Sequence, residues 1–182
     1  MFLDDCVLVP ITLTNVILTA ADHGLLKPCW SPEVIEEAVE AICRVRPGLD
    51  EKRIRHRFAA MDRAFEGSSV SGDPSVLDGW VSPDPDDLHV IASAIAAEAD
   101  VIVTANVRDF PKAVMAGLGL LVMSPDELLL GLLEDNQEEV IHCVVEMAAA
   151  SYHPQRTPRE ILMALELSGV PNFAAEARRL LG

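Results

Sequence analysis

The spacing of apolar positions along the chain changes period repeatedly. Short apolar runs at Phe2–Val9, Leu26–Trp30, Val76–Val81, Asp100–Thr104 (DVIVT) and Leu120–Met123 predict buried strands, the first interrupted by Asp4 and Asp5. Between them, apolar residues recur at helical spacing: Val16, Ile17, Leu18 and Ala21, then Val34, Ile35, Ala38, Val39 and Ile42. Two further sets are Ile54, Phe58, Met61 and Phe65, and Val90, Ile91, Ala94 and Ile95. Boundary residues agree with this division. Thr14 or Asn15 can cap the first helix and Gly24 can stop it, Ser31 followed by Pro32 starts the second, and Asp50 caps the third. Asp86 or Asp87 opens the fourth, and Ser124 to Glu127 spells a capping box after the last strand. Strands alternating with helices predict a parallel sheet covered by helices on both faces.

After Glu134 the strand pattern stops. Three helices are expected, at about Gln137–Ala150, Thr157–Ser168 and Phe173–Leu181, with a second capping box at Thr157 to Glu160. The expected organisation is an α/β domain over 1–134 and an all-helical extension over 135–182.

Composition narrows the class. Half the residues are apolar, so the chain can fill a core, and its apolar runs are too short for a membrane span. The start, MFLDD, shows no basic region before an apolar stretch, and no C-x-x-C spacing links Cys6, Cys29, Cys43 and Cys143. A cytoplasmic protein with buried reduced thiols is expected. The net charge of −15 is unusual for a protein that binds nucleic acid. It is unevenly spread: between Arg44 and Arg63 seven basic residues face three acids. Such a stripe serves either as a phosphate contact or as a solvated helix face.

The acids at the strand ends carry the chemical interest. Ligands of open α/β sheets bind at the carboxyl edge, where strand order reverses. Asp4 and Asp5 lie on or at the end of the first strand, Asp84, Asp86 and Asp87 precede the helix before DVIVT, and Asn106 and Asp109 follow DVIVT. Carboxylates crowded into one cleft repel each other unless a cation compensates them, and oxygen ligands favour Mg²⁺ or Mn²⁺. The plainer readings are that Asp84 and Asp86 are turn or cap residues, that His89 meets solvent or a local partner, and that Trp30 and Trp80 pack.

FLDDCVLVP, SPEVIEEAVEAI, DPDDLHVIASAIAAEADVIVTANVRDFP and VMSPDELL together resemble the PIN-domain family, in particular the toxin ribonucleases of VapBC toxin–antitoxin pairs. The resemblance spans about Phe2 to Leu133, and its specific part is the Asp followed by a helix and ADVIVT-x-N-x-x-DFP. It implies a PIN-like fold and a Mg²⁺- or Mn²⁺-dependent endoribonuclease leaving a 5′-phosphate and a 3′-hydroxyl. It implies metal-binding acids at Asp4, Glu37, Asp87 and Asp109, with Thr104 and Asn106 completing the catalytic set. Glu36 adjoins Glu37 and competes with it for that role. Cys6 stands where the family more often has a small polar residue, and Asp5 adds a carboxylate. An RNA substrate, a cognate antitoxin protein and a homodimer are the implied partners. Lys52, Arg53 and Arg57 of the basic helix are candidate RNA contacts at the cleft mouth.

Two other readings bear on the same residues. A phosphoacceptor signalling domain also carries an Asp pair after its first strand, but needs a lysine after the last, and Lys27, Lys52 and Lys112 all precede LLVM. A PIN-type module that binds RNA or protein without cutting is the remaining alternative.

Overall fold

Phe2 and Leu3 are fully enclosed and form β1 (Phe2–Leu3). The strand stops there because the Asp4 side chain accepts from the Asp5 backbone N–H and starts a single helical turn, α1 (Asp5–Leu8). The strand expected over Phe2–Val9 is therefore two residues long. Next comes α2 (Ile11–Asp22), which begins ahead of Thr14 and ends against Gly24 at φ +75°, a left-handed turn suited to glycine. Ser31 and Asp50 cap α3 (Pro32–Val45) and α4 (Glu51–Ala64), accepting from Val34 and Lys52 N–H respectively. A 3₁₀ turn at Pro85–Asp87 leads into α5 (Leu88–Ala96). Then follow β2 (Val101–Val103), a 3₁₀ turn at Val107–Asp109, α6 (Lys112–Gly117) and β3 (Leu121–Met123). The remainder is helical: α7 (Pro125–Asp135), α8 (Gln137–Ala149), α9 (Pro158–Leu167) and α10 (Pro171–Leu181).

This computed structural model describes residues 1–77, 85–152 and 154–182, and they group into two compact units, Met1–Val9 with Pro28–Met123, and Pro10–Lys27 with Ser124–Gly182. Trp80, Asp84 and residues 78–81 of the expected third strand lie outside the described residues; Pro74–Leu77 before them is a 3₁₀ turn. None of the helices among the described residues is long and apolar enough to cross a membrane.

The first unit is an open parallel sheet with helices packed on it. β1 pairs with β2 and β2 with β3, in the register Phe2↔Ile102, Leu3↔Val103 and Ile102↔Val122. On its other edge β1 meets Cys29 in an isolated parallel bridge, and Trp30 bridges in turn to Ser69. The strand expected at Leu26–Trp30 is reduced to these bridges. Across the sheet the chain steps outward from β1 to Trp30 and Ser69, then returns to the opposite side of β1 as β2. The reversal falls between β1 and β2, the position where open α/β sheets form their crevice. α5 packs on β1 and β2, and α3 on α1 and α4. The Trp30 indole donates to Asp62 of α4 at 2.7 Å and meets Phe65 edge-on. At Gly72 a Cβ would lie 2.2 Å from the Ala92 carbonyl group, so only glycine lets this loop rest on α5, where its N–H donates to Ser93 Oγ.

In the second unit α2 packs on α8 and α9, and α7, α8, α9 and α10 pack on one another. Both expected capping boxes form, at Ser124/Glu127 and Thr157/Glu160. The buried Asp126 of α7 accepts from the Asn172 and Phe173 N–H groups, capping α10 from another helix where Val170 offers no side-chain cap. Of the four thiols, all unpaired, Cys29 and Cys143 are buried and Cys6 and Cys43 half-buried.

Candidate functional site

At the carboxyl ends of β1 and β2 the sheet delivers two backbone termini side by side. Asp4 leaves β1 with its N–H bonded to the Val103 carbonyl, and Thr104 leaves β2 fully buried. The Thr104 hydroxyl donates to Asp4 Oδ2 at 2.6 Å and accepts from Asn106 N–H at 2.9 Å. The Cys6 thiol donates to the same Asp4 oxygen at 3.2 Å and accepts from Ala105 N–H. Asp4 Oδ1 takes the Asp5 N–H, so both carboxylate oxygens are oriented before any ligand arrives. Cys6 is thus part of the framework that fixes Asp4. Burial, and then the Asp4 charge, pushes its thiol up to about 12, so it stays a donor.

A cavity of about 260 Å³ opens at this edge. Its lining brings Asp4 and Asp5 of the first segment together with Glu37, Glu40 and Arg44 of α3, Asp86 and Asp87 before α5, and Asn106 after β2. Among the described residues, six carboxylates there face one guanidinium. Burial, and then the Asp4 charge, raises Asp5 above its ordinary carboxylate value. Glu37 is raised too, by burial first and with contributions from Asp5 and Asp4, while His89 works the other way. Protonation would relieve this crowding, and so would a hard cation coordinated by the oxygens.

Glu36 and Glu37 separate cleanly. Glu37 lines the cavity and meets His89 Nε2 at 3.0 Å, whereas Glu36 pairs with Arg55 at 2.7 Å on α4. His89 therefore has a partner in the cavity wall, and its Nδ1 is enclosed with no hydrogen-bond partner among the described residues. Asp109, half-buried, closes the 3₁₀ turn through its N–H to Asn106 and is not among the lining residues. No residue of the basic helix lines the cavity either. Arg57 is engaged inside the protein: it donates to the Leu8 carbonyl at 2.9 Å and lies over the Phe58 ring, and burial lowers it to about 10. Lys52 and Arg53 are exposed on the same helix. The basic group at the cavity is Arg44, read in the sequence only as part of the stripe. The signal was available, since Glu37, Glu40, Ala41 and Arg44 follow the three-and-four spacing of one helix face. Asp86, read as a turn residue, also reaches the lining.

The arrangement suits an oxygen-ligated divalent cation. A family model described as a PIN domain matches residues 1–108, and one described as the VapC50 C-terminal domain matches residues 125–179. Over 94 residues the chain is 38% identical to a Mycobacterium tuberculosis protein named "Putative ribonuclease VapC50", an overlap covering 52% of this chain and 55% of that protein. The chain thus spans about half the length of the curated relative it matches. Comparison with solved structures gives no match.

Proposed function

This chain belongs to the PIN-domain family, and from that premise we propose that it is a metal-dependent endoribonuclease, the toxin of a VapBC-type pair with a cognate antitoxin. The observation that carries the proposal is the convergence of Asp4, Asp5, Glu37, Asp86 and Asp87 on one small cavity at the strand-order reversal. The donors are all oxygen and their negative charge outweighs the Arg44 guanidinium and His89 beside them, which fits Mg²⁺ or Mn²⁺. Asp4, Glu37 and Asp87 are the residues that would hold the ion. Asp109 joins the set on the strength of the DFP motif rather than of its position.

When bound, the ion supplies a Lewis acid that draws charge from the phosphoryl oxygens and makes water a better nucleophile. The chain's own contribution is orientation. Thr104 and Cys6 hold Asp4 in one rotamer, Thr104 ties Asn106 to the same point, and His89 holds Glu37 toward the cavity. Arg44 is placed to take a neighbouring phosphate of the RNA strand and so to set its register without reading its bases. The remaining carboxylates repel a polyanion, so RNA affinity should depend steeply on the divalent ion. A homodimer in the cytoplasm is the setting we propose for this activity.

The experiment is RNA cleavage followed by sequencing of the fragments, with Mn²⁺, with chelator, and with Asp87→Asn. Internal cuts that vanish on chelation and fall at least about 100-fold in the variant are expected. Asp109→Asn in the same assay tests that residue separately. RNA binding with no cleavage under any divalent ion would favour a binding module, and wild-type cleavage by Asp87→Asn would remove the proposed centre.

A further inference from the structure

The second unit gathers a donor set of a different kind. His23 sits at the C-terminal end of α2, and His142 and Glu146 lie four residues apart on α8, one turn above each other on the same face. Because α2 packs on α8, His23 Nε2 comes to 2.8 Å from Glu146 Oε2. The His23 and His142 rings meet edge to face with centroids 5.5 Å apart. One ligand atom from each of the three side chains lies within 4.8 Å of the others. The two histidines border a hollow of about 330 Å³ together with Glu138 and Glu139.

The ion pair between His23 and Glu146 uses two of these groups, and the edge-to-face contact on His23 brings His142 to the same point as a third donor. We propose that His23, His142 and Glu146 form a second metal site, selective for zinc or a similar late first-row divalent ion. The two imidazoles favour zinc over the hard ions suited to the acidic cavity, and with one carboxylate they make a three-ligand set that zinc takes. Three protein ligands leave a fourth position open to water or to an outside donor. Glu138 and Glu139 add negative charge at the mouth, which favours cation entry. Bound there, zinc would cross-link α2 to α8, joining two segments far apart in sequence by coordination as well as by apolar packing.

The test is calorimetric titration of the full chain with Zn²⁺ in millimolar Mg²⁺, which occupies hard-ion sites and competes poorly for imidazole. One equivalent of Zn²⁺ should bind, and affinity should fall at least about 10-fold in His142→Ala and in Glu146→Gln. All three side chains are solvent-accessible, so these variants are expected to fold, and their melting temperatures without zinc check this. Zinc should raise the melting temperature of the wild type but not that of His142→Ala. Unchanged zinc affinity in both variants would assign the metal to the cysteines or the acidic cavity and overturn the site. So would a zinc effect that responds to Glu146→Gln and ignores His142→Ala.

Discussion

Asp5 and Glu37 carry the electrostatic tension of the acidic cavity, and their raised carboxyl values make a statement about stability. A carboxyl that holds its proton more tightly in the folded chain than in the unfolded one stabilises the fold below its unfolded value. That contribution disappears as pH rises through the raised folded value. The metal-free protein should therefore gain stability from these two groups on acidification from neutral pH toward the ordinary carboxylate value of about 4. Urea midpoints in chelator, wild type against Asp5→Asn/Glu37→Gln, isolate the effect. The double variant should be the more stable at neutral pH, and the gap should close on acidification. Saturating Mn²⁺ should stabilise the wild type and reverse the order at neutral pH. A gap that widens as pH falls would contradict the reading.

Among the elements, α4 divides its cations between distinct duties. Arg55 is paired with Glu36 and Glu51, Arg57 serves the Leu8 carbonyl, and Lys52 and Arg53 are exposed. Reversing Lys52 and Arg53 to Glu should weaken RNA binding and flatten its salt dependence while leaving Mn²⁺ affinity unchanged. Arg57→Ala should instead destabilise the fold by about 1–3 kcal/mol, because it removes a part-buried, charge-assisted hydrogen bond together with the packing of its side chain on Phe58. Salt-dependent RNA binding and thermal melts on both variants separate these roles; an Arg57→Ala protein with wild-type stability and lost RNA affinity would restore it to the RNA contacts. The helices of this fold were legible because their caps and spacing are local: Ser31, Asp50, Ser124 and Thr157 act within three residues of themselves. The strands were less so. Phe2–Val9 is apolar enough for a strand along its whole length, but Asp4 turns it into a helix start, and Leu26–Trp30 finds only single-residue pairings. Asp4, Glu37 and Asp87 are the acids that the family resemblance implied, and all three line the cavity; Arg44 shares the helix face of Glu37, whereas the partnership of His89 with Glu37 depends on how α3 and α5 approach each other.

For the molecule as a whole, sequence order and spatial grouping differ. α2 lies near the N-terminus yet packs on α8 and α9, and its Leu13, Val16, Ile17 and Ala20 are buried. Cutting the chain after Glu134 keeps α2 but removes both partners. Fragment 1–134 is therefore expected to expose that apolar face, to self-associate on gel filtration and to lose a cooperative melt. A monomeric fragment melting within about 5 °C of the full chain would show that α8, α9 and α10 are dispensable. Asp126 adds a point of sensitivity, since three donors from Asn172 and Phe173 converge on one buried carboxylate.

The loop contact at Gly72 also bears on how this chain can change. A methyl group at that position would begin 2.2 Å from the Ala92 backbone, more than an ångström inside ordinary contact. Either the loop or α5 would have to give way. α5 carries Asp87 at its N-terminal end, so a shift of the helix to make room at Ala92 would carry that carboxylate with it. Inheritance can therefore detune the acidic centre without altering any charged residue, through a position whose whole contribution is the side chain it lacks.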